Sequence, residues 1–138
     1  MREPYLQCLV HLVWSTWDRA PIISDPWASM LHDAMAAAAV GLGCHPVHVG
    51  GTPDHVHMLV GLPATVTIAD LAKRIKGNSS HLVNHQLAPG VLFRWQGGYG
   101  AFTIDRGSYA RCRAYVENQA THHCTATTSS EWETTFRP

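Results

Sequence analysis

The sequence lacks several features that would assign the protein to a common class. Its longest apolar run, residues 35–42, is interrupted by Gly41 and is far shorter than the roughly 20 residues of a membrane-spanning helix. The first residues lack the apolar stretch of a secretory signal, so we expect a cytoplasmic protein without a membrane anchor. No glycine-rich phosphate-binding loop is present, which argues against a nucleotide cofactor.

Paired cysteines are also missing. The four cysteines, Cys8, Cys44, Cys112 and Cys124, are widely separated and form no Cys-x-x-Cys motif. Their spacing excludes the common structural zinc sites, and a disulfide framework is not expected in a cytosolic chain. We interpret them as ordinary core or surface residues.

Charged residues are scarce, at 14% of the chain, whereas hydrophobic residues make up 46%. This composition excludes a disordered polar chain, and 138 residues are enough for one ordinary domain with a real core. We predict a single domain over residues 1–123. The Ser/Thr-rich remainder, residues 124–138, is predicted to be a poorly ordered tail.

The net charge is zero, but the charges are unevenly distributed along the chain. The segment from residue 73 to residue 113 contains seven basic residues and one acidic residue, Asp105. A segregated basic segment can hold phosphates even on a neutral protein, although a solvated basic face explains any one of these residues equally well. The candidate phosphate contacts are Lys73, Arg74, Lys76, Arg94 and Arg111.

Hydrophobic periodicity predicts elements in the order β-α-β-β-α-β-β-α. The predicted strands cover residues 5–14, 45–51, 55–62, 93–96 and 99–105, and the predicted helices residues 27–42, 68–87 and 109–123. Asp25, Thr67 and Ser108 are the predicted helix N-caps, and Gly77 predicts a bend or break in the second helix. The first six elements predict an α+β fold of the ferredoxin-like split βαβ type. It has an antiparallel sheet with two helices on one face, and a further C-terminal helix carries a tyrosine.

Two of the ten histidines lie one residue apart in the third predicted strand. Because side chains alternate along a strand, His55, His57 and Leu59 share one face, and Val56 and Met58 lie on the core face. Two neutral imidazoles can hold one divalent ion if oxygen ligands complete its coordination. Two histidines that merely cover the open face of the sheet explain the pattern equally well.

The last predicted helix places Tyr115 and Gln119 on the same face, four residues apart. A tyrosine can attack phosphorus once it is activated, and a glutamine carbonyl can ligate a hard cation. Alternatively, the tyrosine packs its ring on the sheet and the glutamine lies in water. Tyr99 and Tyr109 compete for the role of nucleophile, but Tyr109 has Arg113 rather than glutamine four residues on.

Five sequence motifs, in order and with natural spacing, resemble the single-tyrosine HUH transposases of minimal bacterial insertion sequences. This family is also called TnpA or IS200-like, and it includes relatives that act on repetitive extragenic palindromes (REP). The motifs are HLVWSTWDRAP, TPDHVHMLV, KRIKGNSSHLVN, FRWQGGYGAFTI and YVENQATHH. The resemblance covers about residues 5–123.

The resemblance implies a metal-dependent enzyme that cuts single-stranded DNA at hairpin-bearing ends and rejoins it. His55 and His57 would hold Mg²⁺ or Mn²⁺, with Gln119 as the third ligand. Tyr115 would attack a phosphodiester and form a 5′-phosphotyrosine link, which keeps the bond energy without ATP. A homodimer is also implied, in which the tyrosine helix of one chain serves the histidine pair of the other.

The resemblance further implies that the basic residues of the second helix contact hairpin DNA. Trp95 and Tyr99 either stack on unpaired bases or pack in the core. The chain departs from the family in ending with SSEWETTFRP instead of an acidic helical tail, which bears on dimer geometry and full transposition more than on cleavage. Two other functions are considered: a catalytically idle hairpin-DNA-binding relative, and a His-rich metal-binding module.

Overall fold

The computed structural model describes residues 4–118. Gln119, the end of the last predicted helix and the predicted tail over residues 124–138 lie outside the described residues. The strands are β1 (Cys8–Ser15), β2 (His45–Thr52), β3 (His55–Leu62) and β4 (Gly100–Ile104). The α-helices are α1 (Ala28–Gly41), α2 (Ile68–Leu82) and α3 (Tyr109–Glu117). Short turns of other helix types cover Trp17–Arg19, Val83–Leu87 and Arg106–Ser108.

The four strands form one antiparallel sheet in the order β2-β3-β1-β4. β1 lies between β3 and β4, with Val13 opposite His57 and Ser15 opposite His55. The βαββαβ order and this strand order confirm the predicted α+β, ferredoxin-like arrangement. None of the helices within residues 4–118 is long and apolar enough to cross a membrane.

The two faces of the sheet carry two separate hydrophobic clusters. On one face, Met58 of β3 packs with Leu12 of β1, Leu31 of α1 and Ile75 of α2. On the other face, α3 contributes three residues at helical spacing to a smaller cluster, which comprises Leu59, Ile104, Cys112, Tyr115 and Val116. The histidine face of the sheet is therefore not open, because α3 covers part of it.

The predicted cap of α1 is wrong, whereas α3 begins where it was predicted to begin, after Ser108. The carbonyl of Ser24 accepts the N–H groups of Trp27 and Ala28, so residues 25–27 form a turn, and Asp25 is not the N-cap of α1. Before α3, the side chain of Asp105 accepts the Ser108 N–H at 2.6 Å, whereas the Ser108 side chain makes no cap bond. The preceding turn thus displaces the predicted cap of α1, whereas Ser108 keeps its predicted place before α3 without a side-chain cap bond.

Helix α2 confirms its predicted N-cap but not its predicted break. The Asp70 N–H donates to the Thr67 side chain at 3.0 Å. The helix then continues through Gly77, whose carbonyl accepts a hydrogen bond from the Ser80 hydroxyl. A glycine costs a helix only about 1 kcal/mol, and burial of the apolar face of α2 outweighs that cost. The departure from α-helix occurs later, as the π-helical turn Val83–Leu87.

The predicted strand over residues 93–96 is also wrong. Within it, Trp95 makes only an isolated bridge to Thr16. Both backbone polar groups of Phe93 are bonded to the side chain of Asn84, and the Trp95 indole N–H donates to Ser79. The segment therefore packs against α2 and pairs with the end of β1 through two backbone hydrogen bonds, from Trp17 N–H to Arg94 O and from Gln96 N–H to Ser15 O. Trp95 lies in the core, which excludes it as an exposed stacking platform in this structure.

Candidate active site

The fold brings Tyr115 together with the paired histidines of its own chain. The Tyr115 ring lies edge-on to the His57 ring, with centroids 5.8 Å apart, and the His55 and His57 centroids are 5.0 Å apart. All three side chains are buried: Tyr115 is 6% exposed, His55 1% and His57 0%. The alternation of β3 and the helical spacing of α3 thus bring a phenol and two imidazoles together between the sheet and α3.

Asp54 and Thr52 hold one side of the His55 ring. His55 Nδ1 lies 2.7 Å from Asp54 Oδ1 and 2.8 Å from Thr52 Oγ1. An ionised carboxylate only accepts hydrogen bonds, so Nδ1 carries a proton and donates it to Asp54. In neutral His55 the ring lone pair is then on Nε2. A carboxylate that orients a histidine in this way is the usual outer partner of a metal-ligating imidazole.

The electrostatics keep Asp54 ionised. Burial alone raises the pKa of Asp54, but the hydrogen bond with His55 and the charge of Arg19 outweigh burial and hold the pKa below its usual value. Arg19 Nε lies 3.5 Å from Asp54 Oδ2. Arg19, which follows β1, therefore stabilises the Asp54 carboxylate that orients the His55 ring. Sequence reasoning missed Asp54, although its position directly before the paired histidines His55 and His57 was a usable signal.

A third histidine, His11, contacts His57. His11 Nε2 lies 2.7 Å from His57 Nδ1, and the two rings are stacked with centroids 4.9 Å apart. His11 pairs with Leu59 across the β1–β3 ladder, which places it on the same face as His57. Sequence reasoning missed this role. The available signal was a histidine inside an apolar strand, out of phase with the core residues Leu12 and Trp14.

The close packing of α3 on the sheet depends on a glycine. A Cβ atom at Gly50 in β2 would lie 2.7 Å from the Val116 carbonyl oxygen, closer than real Cβ contacts. Of the alternative nucleophiles, Tyr99 packs against the opposite hydrophobic cluster and Tyr109 lies at the start of α3. Tyr115 is the tyrosine, within the described chain, whose ring contacts the histidine pair.

The predicted DNA-contacting residues fall on different surfaces. Lys73 and Arg74 are exposed on α2, whereas Arg111 is exposed on α3, across the sheet. The basic segment is contiguous in the sequence but is divided between the two faces of the fold. Arg94 is exposed, and its guanidinium lies 4.1 Å from the ring centroid of Trp17, which is 48% exposed.

Lys76, the fifth candidate, has structural partners. Its ammonium donates to the carbonyls of Gln96 and Gly98 at 2.7 and 2.8 Å. Burial lowers the pKa of Lys76. These two hydrogen bonds attach the loop after Trp95 to α2. They engage the same Lys76 ammonium that was predicted to contact DNA.

The residues between positions 4 and 118 do not by themselves complete a metal site. Within that range, no group of three or more His, Cys, Asp or Glu side chains is placed to hold a metal ion. His55 and His57 could supply two nitrogen ligands, and a divalent cation would need further oxygen ligands. Gln119, the predicted third ligand, lies outside the described residues.

The chain is similar to several known transposases. The chain is 27% identical over 116 residues to the ISDra2 transposase TnpA of Deinococcus radiodurans, covering 79% of this chain and 81% of the relative. A solved transposase structure from Deinococcus radiodurans R1 superposes with a TM-score of 0.68 at 27% identity. This match covers 86% of this chain and 98% of the other. A REP-associated tyrosine transposase, solved bound to a REP hairpin, shares the fold with a TM-score of 0.66 at 17% identity. It covers 89% of this chain and 73% of the other.

The family model described as "Transposase IS200 like" matches residues 4–119. This span includes the sheet, both histidines of β3 and the tyrosine of α3. The chain, in which the Tyr115 ring packs against the His57 ring, therefore belongs to the IS200-like transposase family.

Proposed function

We propose that this transposase cleaves and rejoins single-stranded, hairpin-bearing DNA in a metal-dependent reaction with a 5′-phosphotyrosine intermediate. The observation that carries the proposal is the packing of Tyr115 against His57, 5.8 Å between ring centroids, on the sheet face that also holds His55. The fold shared with a tyrosine transposase that was solved bound to a REP hairpin supports hairpin DNA as the substrate.

The donor chemistry of the site fits a divalent cation. In His55 the Nδ1 side is hydrogen-bonded to Asp54, as expected for an imidazole that ligates through Nε2. His57 would be the second nitrogen ligand, and the Gln119 carbonyl the third ligand. Carbonyl and phosphate oxygens are suited to Mg²⁺ and Mn²⁺. The bound cation would polarise the scissile phosphate and stabilise the charge of the leaving oxygen.

The role of Tyr115 is nucleophilic. A free phenol has a pKa near 10, so only about 0.3% is ionised at pH 7.5, and the attack requires a polarised phosphate. The phenol oxygen forms a bond to phosphorus, the phosphorus–O3′ bond breaks, and the 3′ oxygen leaves as a hydroxyl. The phenol proton is released and the 3′ oxygen takes up a proton, so the protons balance. Rejoining reverses these steps with another 3′-hydroxyl, and no nucleotide is consumed.

The burial of Tyr115 suggests a movement that admits DNA. Because Tyr115 is 6% exposed, we propose that α3 separates from the sheet when a phosphate approaches the phenol oxygen. The three-residue turn Arg106–Ser108 joins β4 to α3 and is the place where such a movement would occur. We propose that α3 then serves the histidine pair of a second copy, in a homodimer with shared sites.

The other DNA contacts are proposed from charge and exposure. Lys73 and Arg74 on α2 would bind hairpin phosphates, with Arg94 and Arg111 as further phosphate contacts. Lys76 belongs to the same proposal, although its ammonium already donates to two carbonyls.

A denaturing gel tests the reaction. The full chain is incubated with Mn²⁺ and a labelled single-stranded hairpin oligonucleotide taken from the DNA that flanks the gene, then heated and resolved. We expect a covalent protein–DNA band that disappears in excess EDTA and is absent with perfect duplex of the same sequence. Hairpin binding without a covalent band would indicate an idle DNA-binding relative. Neither binding nor a band would indicate a metal-binding module.

A further inference from the structure

The third buried histidine, His11, has a specific chemical relation to His57. Its Nε2 lies 2.7 Å from His57 Nδ1, and both rings are 0% exposed. Two facing imidazole nitrogens at this distance share a single hydrogen: two N–H groups would collide, and two lone pairs would repel. One ring therefore donates and the other accepts, so the proton position on one ring determines the position on the other.

The neighbouring His55 indicates which ring donates. Its Nδ1 donates to the Asp54 carboxylate, which leaves the His55 lone pair on Nε2. For His57 to ligate the same cation through Nε2, its Nδ1 must likewise carry the proton. The only direction of the short contact that allows this is donation from His57 Nδ1 to His11 Nε2.

We infer that His11 is a positioning residue that fixes the His57 proton on Nδ1 and thereby keeps the lone pair on Nε2 for a divalent cation. This inference rests on the proposed metal-dependent function. It gives the second histidine an outer partner equivalent to the carboxylate of the first. The two ligating imidazoles are then oriented by different means, Asp54 from the preceding turn and His11 from the adjacent strand.

In this arrangement His11 Nε2 is not itself a ligand, because its lone pair accepts the hydrogen that His57 Nδ1 donates across 2.7 Å. A purely structural role is also poorly supported. Burying a polar ring costs free energy that an apolar residue in the same strand would avoid. The hydrogen bond with His57 offsets part of this cost.

Nuclear magnetic resonance tests the proton positions without metal or activity. Long-range ¹H–¹⁵N correlation spectra of the metal-free, ¹⁵N-labelled full chain at pH 8 distinguish a protonated from an unprotonated ring nitrogen, with His11→Phe and His57→Phe used for assignment. We expect Nδ1–H with unprotonated Nε2 in both His11 and His57. A His57 ring that is protonated on Nε2 would overturn the inference, whether or not the enzyme is active.

Mn²⁺ binding tests the consequence. Loss of an outer partner typically lowers metal affinity 10–100-fold, so His11→Phe should weaken Mn²⁺ binding by that factor in calorimetric or electron paramagnetic resonance titrations. His11→Gln, whose side-chain carbonyl accepts from His57 Nδ1, should stay within a few-fold of the wild type. His81→Phe, which removes an exposed histidine from α2, should bind as the wild type does.

The outcomes separate this inference from the proposed function. Wild-type Mn²⁺ affinity in a folded His11→Phe protein, or an equal loss in His11→Gln and His11→Phe, would overturn the role of His11 alone. If the wild type binds no Mn²⁺, or if His55→Ala leaves binding unchanged, the proposed metal site itself fails and the role of His11 fails with it. Thermal unfolding checks that each variant folds. Should His11→Phe not fold, the wild-type tautomer measurement still decides.

Discussion

The Tyr115 ring lies edge-on against the His57 ring of the same chain, 5.8 Å between centroids at an interplanar angle of 73°. This contact joins the last helix to the centre of the sheet across the face opposite to α1 and α2. It places the proposed nucleophile beside the proposed metal ligands. Tyr115 is 6% exposed in this arrangement, so little of the proposed nucleophile faces solvent.

The first prediction concerns the nucleophile. Tyr115→Phe removes one hydroxyl and keeps the ring that packs against Leu59 and Ile104. We expect no covalent DNA adduct on the denaturing gel, while hairpin affinity in a gel-shift assay stays within a few-fold of the wild type. Tyr99→Phe and Tyr109→Phe are the matched controls and should retain the adduct. An adduct at wild-type level in Tyr115→Phe would assign the chemistry to another residue.

The second prediction separates two neighbouring lysines of α2. Lys73→Met should lower hairpin affinity and reduce its dependence on salt without changing stability, because the Lys73 ammonium is exposed. Lys76→Met should lower the free energy of unfolding by about 1–3 kcal/mol, since it removes two charge-assisted hydrogen bonds to Gln96 and Gly98. Chemical denaturation and salt-dependent gel shifts measure both quantities. Equal stability of the two variants would contradict a structural role for Lys76.

The third prediction compares two glycines. Gly50→Ala places a Cβ atom 2.7 Å from the Val116 carbonyl oxygen, so α3 must shift from the sheet. We expect a loss of about 1–3 kcal/mol in unfolding free energy and faster amide exchange in α3. Gly77→Ala has no neighbour within 4 Å and lies inside α2. Its free energy of unfolding should therefore rise by up to about 1 kcal/mol. A Gly50→Ala protein as stable as the wild type would show that α3 is not held closely against β2.

The sequence predicted which face of each strand is buried more accurately than it predicted the segments that connect strands and helices. The alternation of β3 correctly assigned Met58 to the core and His57 to the other face, because a buried sheet face enforces strict alternation. The predicted strand around Trp95 failed because both backbone polar groups of Phe93 bond to the side chain of Asn84 and the Trp95 indole donates to Ser79 of α2. Periodicity within a segment does not reveal such a partner.

The sequence identified the central residues of the candidate site, but it did not identify the residues that orient them. Tyr115, His55 and His57 come from residue types whose chemistry is recognisable in a short motif. His11 and Asp54 contact the paired histidines through hydrogen bonds. These hydrogen bonds depend on the pairing of β1 with β3 and on the turn before β3, which become known only with the fold.

The fourth prediction concerns pH and the start of α3. The hydrogen bond with Ser108 and the charge of Arg111 hold the pKa of Asp105 below its usual value. A lowered carboxyl pKa stabilises the fold above the unfolded value near 3.8, and that stabilisation is lost as the pH falls through the folded value. Asp105→Ala should therefore speed amide exchange in α3 at pH 6, and the difference from the wild type should shrink as the pH falls below 3.8. Asp33→Ala, on α1, is the control and should not affect α3 at any pH in the series. A difference that does not shrink at all below pH 3.8 would show that the charge of Asp105 is not its cause.

The last prediction concerns assembly. A Tyr115→Phe chain keeps an intact histidine pair, and a His57→Ala chain keeps an intact tyrosine, so each is inactive alone. If α3 of one chain serves the histidines of its partner, mixing the two variants creates heterodimers with one complete site. Because Tyr115 rests on its own histidines in the described chain, this exchange requires α3 to pivot at Arg106–Ser108. We expect recovered cleavage, with labelled DNA attached only to the His57→Ala chain. Two copies of the same variant mixed together form the control and should stay inactive. No recovery at any mixing ratio, or a monomer by light scattering, would establish that each chain uses Tyr115 with its own histidines.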